Sequence, residues 1–270
     1  MLLASVLAIP HSPPMNEKAL KSALVTGAGR RIGRAVALDL AAAGWTVAVH
    51  YNRSEAEARA VADEISANGF KAATVQADLA VEEEAAGLID RATAEIGPLG
   101  CLVNNASVFE KDTPQTVTKE SWETHMQVNL RAPFQLTQAF AAALPDGVEG
   151  NVINLIDQRV WNVTPYFTSY TVSKVALWGL TQNLALALAP AIRVNAIGPG
   201  PTLPSIHQTK EQFERQWLAL PFKRQVLLEE ICRAVQFLLD APSITGQMIV
   251  LDGGQHLGWA PGKSEGKFSE

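Results

Sequence analysis

The sequence predicts an α/β fold, one doubly wound parallel sheet in a single domain with helices on both faces. Three observations predict it. Short apolar runs of strand length alternate with amphipathic runs of helix length across residues 21–258, the pattern of parallel strands joined by helical crossovers. The first strand runs into a glycine-rich turn, Thr26-Gly-Ala-Gly-Arg-Arg-Ile-Gly33. The alternation shows no tandem repeat, and 270 residues at 47% hydrophobic and 18% charged suffice for one large core.

Residues 23–26 read as the first strand, 34–43 as a helix stopped by Gly44, and 46–50 as the second strand. Together they make a βαβ unit of about 30 residues with glycines at its first turn, a Rossmann-type arrangement. Such glycines let backbone N–H groups approach a pyrophosphate, and the helix N-terminus attracts its charge. Gly27, Arg30, Arg31, Ile32 and Gly33 are therefore candidate cofactor contacts; the bland reading is a tight strand–helix turn. Where an NAD site carries an acid after the second strand, this chain has His50-Tyr-Asn-Arg53-Ser54. An acid would bind the ribose hydroxyls and repel a 2′-phosphate, whereas Arg does the reverse. His50, Asn52, Arg53 and Ser54 thus point to NADP(H), against the alternative of a solvated loop arginine.

Residues 54–68 form an amphipathic helix with Ala58, Val61, Ala62 and Ile65 at helical spacing, ended by Gly69. A third strand over 71–76 leads to Asp78 and Leu79. Asp78 has two readings, acceptor for an adenine amino group or cap of a helix over 81–96. Strand four, 100–104, delivers Asn105, Ala106 and Ser107 where a cofactor crosses the sheet edge. Residues 114–144 hold one long helix or two, with Asn129 inside; a buried Asn must find partners, either a water on a path to Lys174 or a kinked turn before Pro133. Strand five is 150–156, a helix spans 168–188, and strand six, 192–197, is broken by Gly198-Pro-Gly-Pro201. Residues 202–220, irregular and helical by turns, are a candidate substrate lid; Ser205, His207 and Trp217 there face pocket or solvent. A helix over 229–239 and a strand over 248–252 close the fold. Residues 1–20 are expected to be an arm, with Met1 or Met15 as the start, and 259–270 a tail.

Tyr170 and Lys174 stand at i and i+4, one face of a helix. A cation beside a phenol favours the phenolate, which suits proton delivery to a carbonyl or imine nitrogen. Asp157 lies 13 residues before Tyr170. Ionised, it repels a phenolate and opposes Lys174. Arg159, Trp161 and Tyr166 between them are further candidates for the pocket wall.

A net charge of −5 with interspersed signs argues against nucleic-acid and membrane-surface partners. The apolar start lacks the basic residues of a secretory signal, and nothing later approaches a membrane span. Cys101 and Cys232 fit no metal spacing and read as reduced packing residues of a cytosolic protein.

The pattern resembles the short-chain dehydrogenase/reductase family through Thr26-Gly27 to Gly33, Asn104-Asn105-Ala106, Asn129, Tyr170-x-x-x-Lys174, Pro199-Gly200 and Leu251-Asp-Gly-Gly254. The resemblance implies Tyr170 as proton donor, Lys174 on the nicotinamide ribose, Asn129 completing a relay, Pro199 and Gly200 beside the cofactor, and a homotetramer. Two positions depart from the usual family pattern: Arg31 replaces a Gly, and Asp157 a Ser. With Asn105-Ala-Ser107-Val-Phe109 they resemble the pteridine reductase branch, and the dihydromonapterin reductases share part of the pattern. That resemblance implies Arg31 near cofactor phosphate and substrate, and Ser107 and Phe109 lining a pterin site. Phe109 beside a nicotinamide offers an offset stack worth about 0.5–1.5 kcal/mol beyond its area. The leading expectation is NADPH-dependent reduction of a pterin-like C=N bond by Asp157, Tyr170, Lys174 and Asn129. Reduction of a ketone or 3-oxoacyl carrier protein is the alternative, and a non-catalytic NADP-binding sensor or scaffold the third reading.

Overall fold

The structure is a computed structural model, and it describes residues 20–205 and 208–258. The expected arm before residue 20, the tail over 259–270 and His207 lie outside the described residues.

Seven strands form one sheet in the order β3-β2-β1-β4-β5-β6-β7, every pair parallel. They are β1 (Ser22–Val25), β2 (Thr46–Tyr51), β3 (Ala72–Gln76), β4 (Cys101–Asn104), β5 (Gly150–Leu155), β6 (Ile192–Pro199) and β7 (Met248–Leu251). β1 and β4 are buried along their whole length, as strands covered on both faces must be. On one face α1 (Arg31–Ala42), α2 (Glu55–Ala67) and α9 (Leu228–Asp240) close a core around Val36, Leu40, Val61, Ile231 and Val235. On the other, α4 (Leu88–Ile96), α6 (Ala132–Ala143) and α7 (Thr168–Ala187) bury Leu88, Ile89, Leu136, Phe140 and Leu184. Cys101 and Cys232 are free and buried in the first core.

The expected doubly wound sheet is present, but three segments differ. The helix expected over 81–96 is two, α3 (Glu82–Ala86) and α4, parted at Gly87. The Arg91 guanidinium donates to the Glu84 carbonyl at 2.8 Å, drawing off an acceptor of the first helix. The 114–144 segment is α5 (Lys119–Met126), one π-helical turn over Gln127–Arg131, and α6. Gly198 and Pro199 do not break strand six: both stay in its ladder with β7, Pro199 on the last rung. Within 202–220, α8 (Lys210–Leu218) starts at a capping box in which Thr209 and Gln212 exchange side-chain and backbone bonds.

Arg193 fastens β6 to the far end of α9. Its guanidinium donates to the carbonyls of Leu238, Leu239, Ala241 and Ile244 at 2.7–3.2 Å. These include carbonyls a helix C-terminus leaves unpaired. Arg193→Met, which keeps the aliphatic stem, is expected to cost about 2–3 kcal/mol of stability and to lower the thermal midpoint by several degrees in a calorimetric melt.

Candidate active site

The order of the strands reverses direction between β1 and β4, and their carboxyl ends part there into a crevice. Thr26 knots the fork: its Oγ1 accepts the Asn105 and Ala106 N–H groups, both at 2.9 Å, while its carbonyl accepts Asn105 Nδ2 at 2.8 Å. The glycines are required by closeness. Gly27 has φ +63°, and a β-carbon on Gly33 would stand 2.5 Å from both the Gly27 carbonyl and Asn105 Nδ2. A cleft of about 800 Å³ opens above this fork, a size that suits a cofactor and a small substrate. All the residues assigned to cofactor and substrate line it: Gly27, Arg30, Arg31, Ile32, Gly33, His50, Asn52, Arg53, Ser54, Asp78, Leu79, Asn105, Ala106, Ser107, Phe109, Asp157, Tyr170, Lys174, Pro199 and Gly200; of the four residues assigned to catalysis, Asn129 does not.

His50 lines the cleft but is buried, and both its ring nitrogens are committed. Nδ1 accepts the Gly27 N–H at 2.9 Å, so Nε2 carries the proton and donates to the Ala77 carbonyl at 3.0 Å. It therefore shapes the glycine turn rather than offering a free donor. Burial lowers its pKa from 6.5 to about 4.

The chemistry of the cationic group fits a dinucleotide phosphate. Arg30 is paired with Glu57, but Arg53 has no ion-pair partner among the described residues, and no carboxylate follows β2 before it. Asp78 lines the cleft, and its Oδ1 accepts the Ala80 N–H at 2.9 Å in a local turn ahead of α3, whose N-cap is Val81 and has no side-chain cap. Arg31 opens α1 at φ 55°, a left-handed conformation that explains why glycine is the easier residue there. From it the guanidinium crosses the cleft to the Pro204 carbonyl at 2.8 Å and the Leu203 carbonyl at 3.3 Å. It thus ties the glycine turn to the candidate lid.

Asp157 points at Tyr170. The phenol donates to Asp157 Oδ2 at 2.8 Å, and Oδ1 accepts the Arg159 N–H at 2.8 Å. The carboxylate thus does two things at once: it caps the short turn Gln158–Val160 and holds the hydroxyl. Of the two opposed effects expected at Tyr170, lowering by Lys174 and raising by Asp157, the raising one prevails. Burial, and next the Asp157 charge, push it well above 10. Lys174 shares the helix face as predicted, but its Nζ donates to the Leu155 carbonyl at 2.8 Å and lies 5.8 Å from the Tyr170 ring centre. Burial lowers the ammonium itself to about 8, with Asp157 resisting.

Asn129 sits in the π turn with all four side-chain bonds spent. Oδ1 accepts from Ser107 Oγ and the Val108 N–H, and Nδ2 donates to the Val108 carbonyl and Ser173 Oγ, at 2.8–3.1 Å. These bonds fix the Ser107–Val108 backbone that presents Phe109. Of the wall candidates, Arg159 and Ser205 line the cleft, whereas Trp161 and Tyr166 are exposed and Trp217 does not line it. Gln158, Phe213, Gln216 and Gln255 line it without having been singled out in the sequence. Gln158 directly follows Asp157, a signal that neighbouring position supplies; Phe213 and Gln216 depend on how α8 folds back, and Gln255 arrives from beyond β7.

A glycine turn at the sheet's switch point, facing a buried phenol and ammonium and a half-buried carboxylate, defines a dinucleotide-dependent oxidoreductase. Residues 21–215 match the family model described as short chain dehydrogenase, and the chain belongs to that family. A crystal structure titled FolM alternative dihydrofolate reductase 1 from Brucella canis, complexed with NADP, is 50% identical. Its TM-score is 0.88 over 91% of this chain and 98% of that one. The Brucella suis counterpart, also with NADP, is 49% identical at the same TM-score and coverage. The 3-oxoacyl-[acyl-carrier-protein] reductase FabG of Staphylococcus aureus is 34% identical over 89% of this chain and 100% of its own length.

His50 makes folding sensitive to acid. Below pH 6.5 the unfolded chain takes up a proton that the folded state refuses until about pH 4, so stability present at neutral pH is lost as pH falls through that window. The full swing is on the order of 3 kcal/mol. In urea unfolding, His50→Gln is expected to flatten the pH dependence by about 2 kcal/mol between pH 7.5 and 4.5.

Proposed function

We propose that this chain is an NADPH-dependent reductase of a pterin-type ring, acting on a C=N bond. The observation that carries the reading is the Tyr170 hydroxyl donating to Asp157 Oδ2 at 2.8 Å, in a cleft that Phe109 also lines. The two Brucella structures, half identical to this chain and titled alternative dihydrofolate reductase with NADP, support both substrate class and cofactor.

NADPH supplies the hydride that adds to the carbon of the C=N bond. The residues of the chain place the ring and deliver the proton. Phe109 offers a flat apolar wall against which a conjugated ring stacks. Tyr170, protonated because burial and Asp157 hold its pKa high, donates to the nitrogen as that atom becomes basic. Asp157 holds the hydroxyl in its resting position until it turns to the nitrogen, and the phenolate left behind takes its proton back from solvent. Lys174, released from the Leu155 carbonyl, binds the ribose hydroxyls and balances the charge of Asp157. Arg53 and Ser54 hold the 2′-phosphate, and the open N–H groups at the start of α1 take the pyrophosphate. We carry the homotetramer and a cytoplasmic location as parts of this proposal. Val172, Val175 and Leu186 on α7 are exposed apolar residues that suit a second copy, and no described helix is long and apolar enough to cross a membrane.

Reduction of 3-oxoacyl carrier protein is the second reading, favoured by full-length similarity to FabG. Asp157 separates the two, since a carboxylate beside the phenol raises its pKa and opposes proton donation to a simple ketone, whereas the same carboxylate accepts from the amino groups of a nitrogen-rich ring.

The central test mixes the protein with NADPH and a dihydropterin and follows cofactor absorbance; turnover of ketones alone would overturn the proposal. Asp157→Ser is expected to lower kcat/KM for the dihydropterin by about 100-fold, roughly 2.7 kcal/mol of transition-state stabilisation. Arg53→Asp is expected to raise the KM for NADPH by about tenfold or more while the KM for NADH changes little, since it replaces a phosphate partner with a repelling charge.

A further inference from the structure

We propose that Phe167 is a positioning residue that fixes the ring plane of Phe109 and so selects flat, conjugated substrates; the inference rests on the reductase reading above. Phe167 precedes α7 at φ 60°, ψ 51°, a left-handed conformation that a bulky side chain avoids. The strain is held from three sides. The Phe167 N–H donates to the Asp112 carbonyl at 2.8 Å, and its carbonyl accepts the Thr171 N–H at 2.8 Å. The Asp112 carboxylate then takes the Ser169 N–H and hydroxyl, locking the first turn of α7 in place.

A helix start does not ask for this residue. Ser, Thr, Asp, Asn or Gly serves the position better, and the Phe167 side chain makes no capping bond. What the ring does is stack. Its centroid lies 4.3 Å from that of Phe109 with only 9° between the planes, and the Arg159 guanidinium carbon sits 5.2 Å from its centre. Phe109 in turn meets Tyr170 edge-on, centroids 4.7 Å apart at 80°. Phe109 lines the cleft and Phe167 does not, so Phe167 acts through its neighbour. A strained backbone that persists because the surroundings over-determine it is the kind of outlier from which a functional role is inferred. Here the stack sets the Phe109 plane, and therefore how well a flat ring packs against it.

The test is a double-mutant cycle with Phe167→Leu, Phe109→Leu and the pair, at saturating NADPH with a dihydropterin. Phe167→Leu is expected to raise KM about tenfold with kcat within about twofold, the loss of a ground-state binding contact. Phe167→Tyr restores the wild-type KM, and the double variant matches Phe109→Leu alone. The NADPH affinity of Phe167→Leu, expected unchanged, shows that its fold is intact. Independent, multiplying effects of the two substitutions, or an unchanged KM in Phe167→Leu, overturn the assignment. If the wild type reduces only ketones, the reductase reading fails. The same cycle run on that ketone then decides Phe167 separately, with non-additive KM changes keeping the assignment and flat or additive ones removing it.

Discussion

The hydrogen bonds of Thr26 join the ends of β1 and β4, and the site depends on that join. A parallel sheet whose winding reverses must leave two strand ends diverging, and backbone groups at such a fork have no ladder partner. Thr26 supplies the missing acceptor for Asn105 and Ala106 with one hydroxyl. Asn105 returns a donor to the Thr26 carbonyl. The crevice is thereby open yet stiff. His50 braces it from the next strand by taking the Gly27 N–H, so the turn that faces the cofactor is shaped by a neutral imidazole rather than by glycine freedom alone.

Three ionisable groups then share one buried space, and their competition sets its character. Burial works against every charge: it pushes the Tyr170 phenol up and the Lys174 ammonium down. Asp157 reinforces the first shift and resists the second. The result is a site poised to keep its phenol protonated, with the carboxylate as the phenol's immediate partner and the ammonium bound to a backbone carbonyl a short way off. An expectation built on Tyr170 and Lys174 alone has the sign of the phenol's shift reversed, because the i, i+4 pair is legible in sequence and relative depth is not.

Much of the fold is legible in the chain. Strand positions follow from apolar runs that have no alternation, and helices from their 3.6-residue stripes. The fork residues, the cationic loop after β2 and the Asp157–Tyr170 spacing can be read without coordinates. What escapes is whatever depends on a partner far along the chain. The two fates of His50 are decided by Gly27 and Ala77, which lie on different segments. Gln255 joins the cleft from beyond the last strand, and no local pattern announces it. Pro199 reads as a breaker by propensity, yet closes a ladder, since propensity is blind to which rung is the last.

The single π turn between α5 and α6 carries one residue more than an α-helix accommodates. It lets Asn129 turn toward Val108 while Val128, Ala132 and Leu136 stay on the core face. The side-chain pattern of the sequence is consequently shifted by one residue between the two helices it joins. Removing a residue here would restore the regular α-helical repeat through the turn, trading the wall of the cleft for a smoother backbone. The surplus residue therefore acts as a phase shifter: it lets a single rod serve the core along most of its length and the reaction site at one point.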